Sequence, residues 1–300
     1  MTSLQDRAAR EGALVVAAPE LGCLEVTGAD RASWLNAVLT CDTAGVAPDR
    51  GAWGLSLTKQ GKIVSDLVLV ASADAIYSSA APNRTAELLS HLDRMLVMED
   101  AEIADRSAEL GFLFLHGPKA TELARDEGAI ALGAVDLTGL GGAAVVVRRT
   151  DAREVLERLT NAGAVVGSAE DWERLRVERR VPRFGVDFDA GDNPHDASLA
   201  ERAVCWTKGC YLGQEVVYMQ NARGKTKRSV ITLRLSADAT PGMAVNAPGH
   251  DAAVGELTTV ANSAVAGQLL ALARVSAAFA EPKTRLLVAG AEAEVLAEPV

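Results

Sequence analysis

The sequence predicts an α+β protein made of two related α+β units and a small C-terminal β-barrel. Gly22 and Gly111 each begin a similar stretch, in which an alternating strand leads through a glycine turn into a helix. Beyond Arg228 the pattern changes to short apolar stretches separated by turn signals, which is typical of a small barrel or sandwich. The predicted divisions are residues 20–107, residues 1–19 with 108–228, and residues 229–300.

The first unit is predicted to contain two strand–helix pairs. Residues 22–28 alternate as a strand does, and the run at 30–38 has the apolar spacing of a helix. Residues 75–77 lead into a second helix, predicted at 83–96 because four leucines recur there at helical spacing.

The second unit repeats this plan and adds a further helix. The strands are predicted at 111–117 and 143–147, and the helices at 118–125, 152–161 and 169–179. Pro118 suits a first helical turn, where its missing N–H would have no partner anyway. Pro182 ends the last helix, and residues 184–198, rich in Asp, Gly, Asn and Pro, predict a long irregular segment of a kind that often carries function.

Composition and charge narrow the functional classes. The chain has 300 residues, of which 49% are hydrophobic, and a net charge of −10, so as a whole it is not a polyanion-binding protein. Between residues 200 and 230, however, the chain has six lysines and arginines and only two acidic residues. This local excess, densest at residues 223–228, indicates a specific anionic partner; a solvated surface hairpin is the alternative.

Cysteine and histidine usage argues against disulfides and resident metals. Four cysteines in 300 residues are too few for a disulfide scaffold, and the spacing of Cys205 and Cys210 fits no standard zinc or cluster site. The four histidines are scattered, so no stable metal is expected. The sequence shows no signal peptide or membrane span, and we expect a soluble cytoplasmic protein with reduced thiols.

The stretch at residues 208–215, Lys-Gly-Cys-Tyr-Leu-Gly-Gln-Glu, is the strongest candidate site. A nearby cation favours the reactive thiolate, and in an extended segment Lys208 and Cys210 would share one face. Gln214 and Glu215 offer an amide and a carboxylate to a polar ligand. The alternative is a structural junction between a strand and a helix, with Cys210 as a small buried residue.

Residues 206–215, followed by Arg223 and Gly224, resemble the signature of the YgfZ family. These folate-binding proteins are similar to the T-protein of the glycine cleavage system, and some relatives act in iron–sulfur protein maturation. The resemblance implies a T-protein-like ring of three domains around a central hole that holds tetrahydrofolate.

The resemblance also implies roles for individual residues. Glu178, at the end of a Leu-Arg-Val-Glu helix segment, would bind the aminopyrimidine edge of the folate ring, and Arg223 would face its anionic tail. Cys210 and Lys208 would form the reactive pair, while folate contacts would be completed by Tyr211, Gln214 and Glu215. The paired-aspartate motif that the T-protein carries is reduced here to Asp66, since Ser65 replaces one aspartate. This departure argues against classical aminomethyl transfer.

The resulting hypothesis is a tetrahydrofolate-binding accessory protein that supports assembly or repair of iron–sulfur enzymes. Its expected partners are a reduced folate and iron–sulfur client proteins, with no membrane. One alternative is a folate-dependent aminomethyltransferase or demethylase that uses Asp66 in catalysis. Another is a tRNA-modification factor that contacts RNA through the basic run at 223–228.

Overall fold

The computed structural model describes residues 2–125, 128–224 and 226–300 of the chain. Its strands are β1 (Leu14–Ala18), β2 (Gly22–Thr27), β3 (Asp49–Arg50), β4 (Ala52–Leu57), β5 (Ile63–Ala71), β6 (Ile76–Ala80), β7 (Glu102–Asp105), β8 (Leu110–His116), β9 (Ala131–Ala134), β10 (Gly142–Arg148), β11 (Val165–Val166), β12 (Arg228–Leu235), β13 (Ala244–Asn246), β14 (Ala253–Ser263), β15 (Gln268–Ser276), β16 (Arg285–Val288) and β17 (Ala291–Val295). Its helices are α1 (Leu4–Glu11), α2 (Arg31–Val38), α3 (Thr85–Asp93), α4 (Ala120–Leu123), α5 (Ala152–Asn161), α6 (Ala169–Glu178), α7 (Ala200–Ala203) and α8 (Gln214–Arg223), with a 3-10 turn at Ala277–Phe279.

Eleven of the described strands form one sheet that runs through both predicted α+β units. The order along the sheet is β11-β1-β8-β10-β9-β5-β6-β2-β7, with β3 beside β9 and β4 beside β5. Strand β1 pairs with β8 rather than with β2, so the N-terminal segment lies among the strands of residues 108–228. The strands of residues 20–107 join those of residues 108–228 at β9, which pairs with β5 at Ala71–Leu132 and with β3 at Asp49–Gly133 and Arg50–Ala134. The domain boundaries themselves stay a prediction.

The last part of the chain is a closed antiparallel barrel, in the order β12-β15-β14-β13-β16-β17. Alternate residues of its strands point inward, and Leu233, Val245, Ala273 and Leu286 lie in its buried core. The predicted α+β class and C-terminal barrel are therefore confirmed.

Helix α6 lies where the sheet and the barrel meet. Its first turn is closed by a capping box, in which Ser168 and Asp171 satisfy each other's backbone N–H groups. Its last turn is buried, and Arg176 and Glu178 reach across to Thr259 and Ser263 of β14. One face of α6 is therefore tied to the barrel, and the position of that helix depends on buried polar contacts.

Two helices are shorter than the sequence pattern predicted. The helix predicted at 83–96 spans only Thr85–Asp93. It starts after Asn83, whose φ of 61° lies in the left-handed region that a right-handed helix excludes. The helix predicted at 118–125 is the single turn Ala120–Leu123. Within the described ranges, the chain has no helix of the length and apolarity that a membrane span requires.

Candidate functional site

A cavity of about 500 Å³ opens between the sheet and α6. This volume is typical of small-molecule sites in proteins. Its walls are largely apolar and aromatic and include Trp53, Phe114, Trp172 and Phe184. Its polar lining comes from Glu20, Asp66, Ser79, His116, Glu173, Arg176 and Arg183. An apolar cleft with a few convergent polar groups is the usual form of a binding site for a flat organic ligand.

Asp66 of β5 brings a carboxyl group to this cavity. The strand alternates, so its neighbours Ser65 and Leu67 point away, and both are buried. Burial raises the pKa of Asp66 to about 6, while hydrogen bonds from its own backbone N–H and from Trp53 work in the opposite direction. A carboxyl group that titrates near neutrality is suited to general acid–base chemistry.

The raised pKa of Asp66 predicts a pH dependence of stability. The carboxyl group has an ordinary pKa of 3.8 and a folded-state pKa of about 6, so the folded protein binds its proton more tightly than the unfolded chain does. We expect the contribution of Asp66 to the unfolding free energy to increase by about 2–3 kcal/mol as the pH falls from 7 to 4. Urea unfolding of wild type and Asp66→Asn across this range measures it, because the difference between the two isolates this one group.

The comparison of wild type with Asp66→Asn is needed because the titration of His116 changes stability in the opposite direction. Burial lowers the pKa of His116 to about 4, so this ring opposes folding as the pH falls below its ordinary value of 6.5. A constant difference in unfolding free energy between wild type and Asp66→Asn would show that Asp66 titrates normally.

His116 lies at the end of β8 and stacks on Trp172 of α6. The two ring centroids are 4.5 Å apart with an interplanar angle of 5°, and Phe114 stacks on His116 at 6.4 Å. The His116 side chain is only 2% exposed, and its Nδ1 has no hydrogen-bond partner among the described residues. Because its pKa is lowered, the ring is neutral at pH 7.

Arg176 is the most deeply buried charge beside the cavity. Its Nη1 donates to Asp187 at 2.6 Å, and its Nη2 donates to Thr259 at 2.6 Å and to Glu173 at 2.7 Å. Burial opposes the charge of Arg176, but Glu173 and Asp187 outweigh burial and raise its pKa above the ordinary value. Its Nε has no partner in the described part of the chain.

The motif at 208–215 is an irregular segment that leads into α8, not the extended segment in which Lys208 and Cys210 were expected to share a face. Lys208 causes the difference, because its Nζ donates to the carbonyl oxygens of Asn36 at 2.7 Å, Leu39 at 2.8 Å and Cys41 at 2.6 Å. Asn36 lies in the last turn of α2, where backbone carbonyls lack intrahelical partners, and Leu39 and Cys41 lie in the segment that follows. Lys208 thus ties the C-terminal end of α2 to the segment after it.

The neighbouring residues of the motif dock on the same unit. Leu212 N–H donates to Ala37 O at 3.0 Å, and Gly213 has a φ of 81° at the start of α8. A Cβ on Gly213 would lie 2.6 Å from Thr58 O, so this position requires glycine. By contrast, a Cβ on Gly209 would meet nothing within 4 Å, and its φ is not in the left-handed region. The contacts within this chain therefore give no reason for Gly209.

The two cysteines of this region differ in environment. Cys210 is exposed, which excludes the alternative that it is a small buried residue. Cys205 is half-buried, and its Sγ lies 3.6 Å from Thr207 Oγ1. Burial raises the pKa of Cys205, but hydrogen bonds from Thr207 and from the backbone N–H of Lys208 outweigh it and lower the pKa below the ordinary thiol value. A thiol with a lowered pKa therefore lies at Cys205, outside the motif at 208–215.

The other predicted folate contacts are dispersed. Tyr211 is buried in the same apolar cluster as Trp53 and Phe184, and its hydroxyl has no described partner. Gln214 is half-buried and Glu215 exposed on the first turn of α8, and Arg223 is exposed at its last turn. None of these four predicted contacts is among the residues that line the cavity.

Glu178 also lies outside the cavity lining. Its carboxylate is 1% exposed and accepts from Arg10 Nη2 at 2.8 Å and from Ser263 Oγ at 2.6 Å. Both carboxylate oxygens are therefore engaged within the protein. In the structure, Glu178 joins α1, α6 and the barrel, while the folate contact assigned to it stays a prediction.

Of the predicted site residues, only Asp66 lies in the cavity; the sequence motifs did not point to His116, Trp172 or Arg176. Two periodicities could have done so. His116 follows Phe114 by two residues on one strand and therefore shares its face, and Arg176 follows Trp172 by four residues on one helix. The contact between these two faces is tertiary and has no signature in the sequence. The described residues hold no cluster of side chains that could bind a metal.

Several known proteins are similar to this chain. The family model of the GCVT N-terminal domain matches residues 4–138. An aminomethyltransferase from Symbiobacterium thermophilum is 24% identical over 318 residues, which cover 95% of this chain and 84% of that protein. The tRNA-modifying protein YgfZ from Colwellia psychrerythraea is 25% identical over 226 residues, covering 71% of this chain and 69% of that protein.

The fold has a close counterpart among solved structures. The crystal structure of the glycine cleavage system aminomethyltransferase T from Bartonella henselae superposes with a TM-score of 0.81 and covers 97% of this chain and 87% of that one, at 17% identity. This similarity establishes the T-protein-like fold that the sequence predicted.

Proposed function

We propose that this chain, a YgfZ/GcvT-like protein, binds a tetrahydrofolate in the cavity beside Asp66 and Trp172. With the folate bound, the protein supports iron–sulfur enzymes. The observation that carries the folate proposal is the cavity itself. It combines aromatic walls with a carboxyl group and with two further polar side chains, His116 and Arg176.

The residues present fit a reduced folate. A flat pterin ring can pack between apolar and aromatic side chains such as Phe114, Trp172 and Phe184. A carboxylate suits the adjacent N–H donors of its aminopyrimidine edge, and Asp66 brings a carboxyl group to the cavity for that contact. Glu173 is less available as an acceptor for the ligand, because its two oxygens accept from Arg183 at 2.6 Å and Arg176 at 2.7 Å. A bound tetrahydrofolate supplies ring and side-chain nitrogens that carry one-carbon units.

Titration calorimetry with tetrahydrofolate tests this placement. We expect Trp172→Ala and Asp66→Asn each to weaken binding by at least about tenfold, because one removes the stacking wall and the other the charged acceptor. Glu178→Ala tests the contact that the family resemblance assigns. Binding that Glu178→Ala abolishes and Trp172→Ala leaves unchanged would move the folate out of this cavity.

The iron–sulfur role is proposed for the exposed thiol of Cys210. Two observations support a partner at this place. The thiol is exposed, and no contact within this chain requires glycine at the neighbouring position 209. A glycine next to an exposed thiol leaves room for a close approach by another backbone. Lys208, whose charge is engaged by three carbonyls, would act by holding the loop that presents the thiol.

Complementation of cells that lack the wild-type protein tests the role of Cys210. We expect Cys210→Ala to lose most of the iron–sulfur enzyme activity that wild type restores, with an unchanged amount of folded protein. Gly209→Ala should have a weaker effect in the same direction, because it narrows the approach to the thiol. Full activity of Cys210→Ala would exclude thiol chemistry at this position.

A folate-dependent transferase or demethylase is a second candidate, and the position of Asp66 favours it. The carboxyl group lies in the cavity and titrates near neutral pH, as an acid or base for one-carbon transfer would. Turnover of an aminomethyl or N-methyl donor that Asp66→Asn abolishes would support this candidate over the accessory role.

A tRNA contact is also a proposal: Arg223, Lys227 and Arg228 are exposed, and Lys225 lies outside the described residues.

A further inference from the structure

Three arginines gather outside the cavity: Arg179 and Arg180, which follow α6, and Arg202 of α7. Arg179 Nε donates to Thr138 O at 2.7 Å, and Arg202 Nη1 lies 3.5 Å from the carbonyl oxygen just before it, Leu137 O. Arg202 also donates to the carbonyl oxygens of Arg179 and Arg180, both at 3.1 Å. Consecutive carbonyl groups therefore hold the guanidinium groups of Arg179 and Arg202 beside each other.

Arg180 extends this arginine cluster to the barrel. Its Nε donates to Thr232 Oγ1 of β12 at 3.3 Å, and its Nη2 donates to Leu296 O at 2.6 Å. Burial, followed by the like charge of Arg202, lowers the pKa of Arg180. The third guanidinium group is thus close enough to the others to be repelled by them.

The arginine cluster lacks a carboxylate partner. Within the described chain, its hydrogen-bond acceptors are backbone oxygens and the Thr232 hydroxyl, and no Asp or Glu side chain forms an ion pair with it. Burial, followed by the like charge of Arg10, lowers the pKa of Arg179, although two nearby carboxylates act in the opposite direction. Charges that are partly removed from water are usually paired, so the cluster calls for an anion from outside the chain.

The cluster keeps donors that such an anion can reach. Arg179 Nη2 and Arg180 Nη1 have no partner among the described residues and, unlike Arg10 Nη1, are not closed to solvent. Gly139 is exposed beside Arg179, and a Cβ there would lie 3.2 Å from Arg179 Nη2, so the absent side chain leaves room next to this donor. Arg202 is itself exposed.

We propose that Arg179, Arg180 and Arg202 bind a phosphate group, either as the free anion or as a monoester on a small molecule. Planar guanidinium groups match phosphate oxygens in pairs. A monoester has three unsubstituted oxygens and close to two negative charges at neutral pH, so it can offset the charge of more than one arginine. A phosphodiester of a nucleic acid backbone has two such oxygens and one charge, and it suits the cluster less well. This site is separate from the proposed folate cavity, since none of the three arginines lines it.

Titration calorimetry at constant ionic strength tests the proposal with inorganic phosphate, glycerol 3-phosphate and dimethyl phosphate. We expect the better of the first two to bind wild type at least about tenfold more tightly than dimethyl phosphate. Tighter binding of glycerol 3-phosphate would assign the site to a monoester, and tighter binding of inorganic phosphate would assign it to the free anion.

Arginine variants locate the binding. Arg179→Gln and Arg202→Gln should each weaken binding of the preferred phosphate by at least about tenfold, because each removes a charged donor. Arg234→Gln is the matched control and should leave the affinity unchanged, because Arg234 is an exposed arginine that already pairs with Glu294, at 3.5 Å. If either test variant does not fold, Arg180→Gln takes its place and should give the same loss.

Three results would overturn this inference. The first is no binding of inorganic phosphate or glycerol 3-phosphate to folded wild type. The second is an affinity that the arginine variants of the cluster leave unchanged. The third is equal or tighter binding of dimethyl phosphate, which would indicate a nucleic acid backbone instead of a small phosphate ligand.

Discussion

Replacing Arg176 with methionine is expected to lower the free energy of unfolding by about 3–5 kcal/mol. The guanidinium group and its partner Asp187 are both 0% exposed, so the substitution leaves a buried carboxylate without its cation. Asp187 would keep hydrogen bonds from Thr258, Thr259 and the backbone of Arg183, which do not neutralise its charge. Urea denaturation followed by circular dichroism measures the change.

Arg183→Met is the matched control for this prediction. Arg183 also pairs with Glu173, at 2.6 Å, but its side chain is 43% exposed. Ion pairs in water contribute about 1 kcal/mol or less, so the control should change stability by no more than that. Equal losses in the two variants would show that burial does not set the strength of the Arg176 contact. A second variant, Asp187→Asn, should destabilise the protein in the same way from the other side of the pair.

Replacing Lys208 with methionine is expected to cost about 2–4 kcal/mol of stability. The ammonium group satisfies three backbone carbonyls in the last turn of α2 and the segment after it, and methionine fills a similar volume without a donor. Lys62→Met, at an exposed position, is the matched control and should change the unfolding free energy by less than about 0.5 kcal/mol.

The stability of Cys210→Ala completes the test of the motif. Cys210 is exposed, so its removal should leave the unfolding free energy within about 0.5 kcal/mol of wild type. A loss of cellular function in Cys210→Ala without loss of stability, beside a loss of both in Lys208→Met, would assign chemistry to the thiol and structure to the lysine. An unchanged stability of Lys208→Met would contradict the structural role.

The glycines of the motif show how far local sequence reasoning reaches. Glycine at positions 209 and 213 predicts unusual backbone or close approach, and this holds for Gly213, with its φ of 81° and its contact with Thr58. Gly209 looks the same in the sequence but has neither property in the structure. The difference arises because Gly213 packs against the turn after β4, about 150 residues away along the chain, which no local pattern records.

The sequence by itself determined the class of fold and most of its elements. Alternation, helical spacing and turn residues act within a few residues of one another, so the strands near Gly22 and Gly111 and the barrel after Arg228 could be predicted directly. Asp66 was also identified from a local motif, and the structure places it in the cavity.

Only the tertiary structure decided which side chains form the site. The cavity exists because β5, β8 and α6 pack together, and the contact of His116 with Trp172 joins residues far apart in the chain. Burial then set their chemistry, raising the pKa of Asp66 and lowering that of His116. Glu178 shows the same dependence on packing. Its position in the sequence suited a ligand contact, but its partners in the structure are Arg10 and Ser263, which come from opposite ends of the chain. Pairing across such distances depends on how whole elements pack, and that information is not contained in any local run of residues.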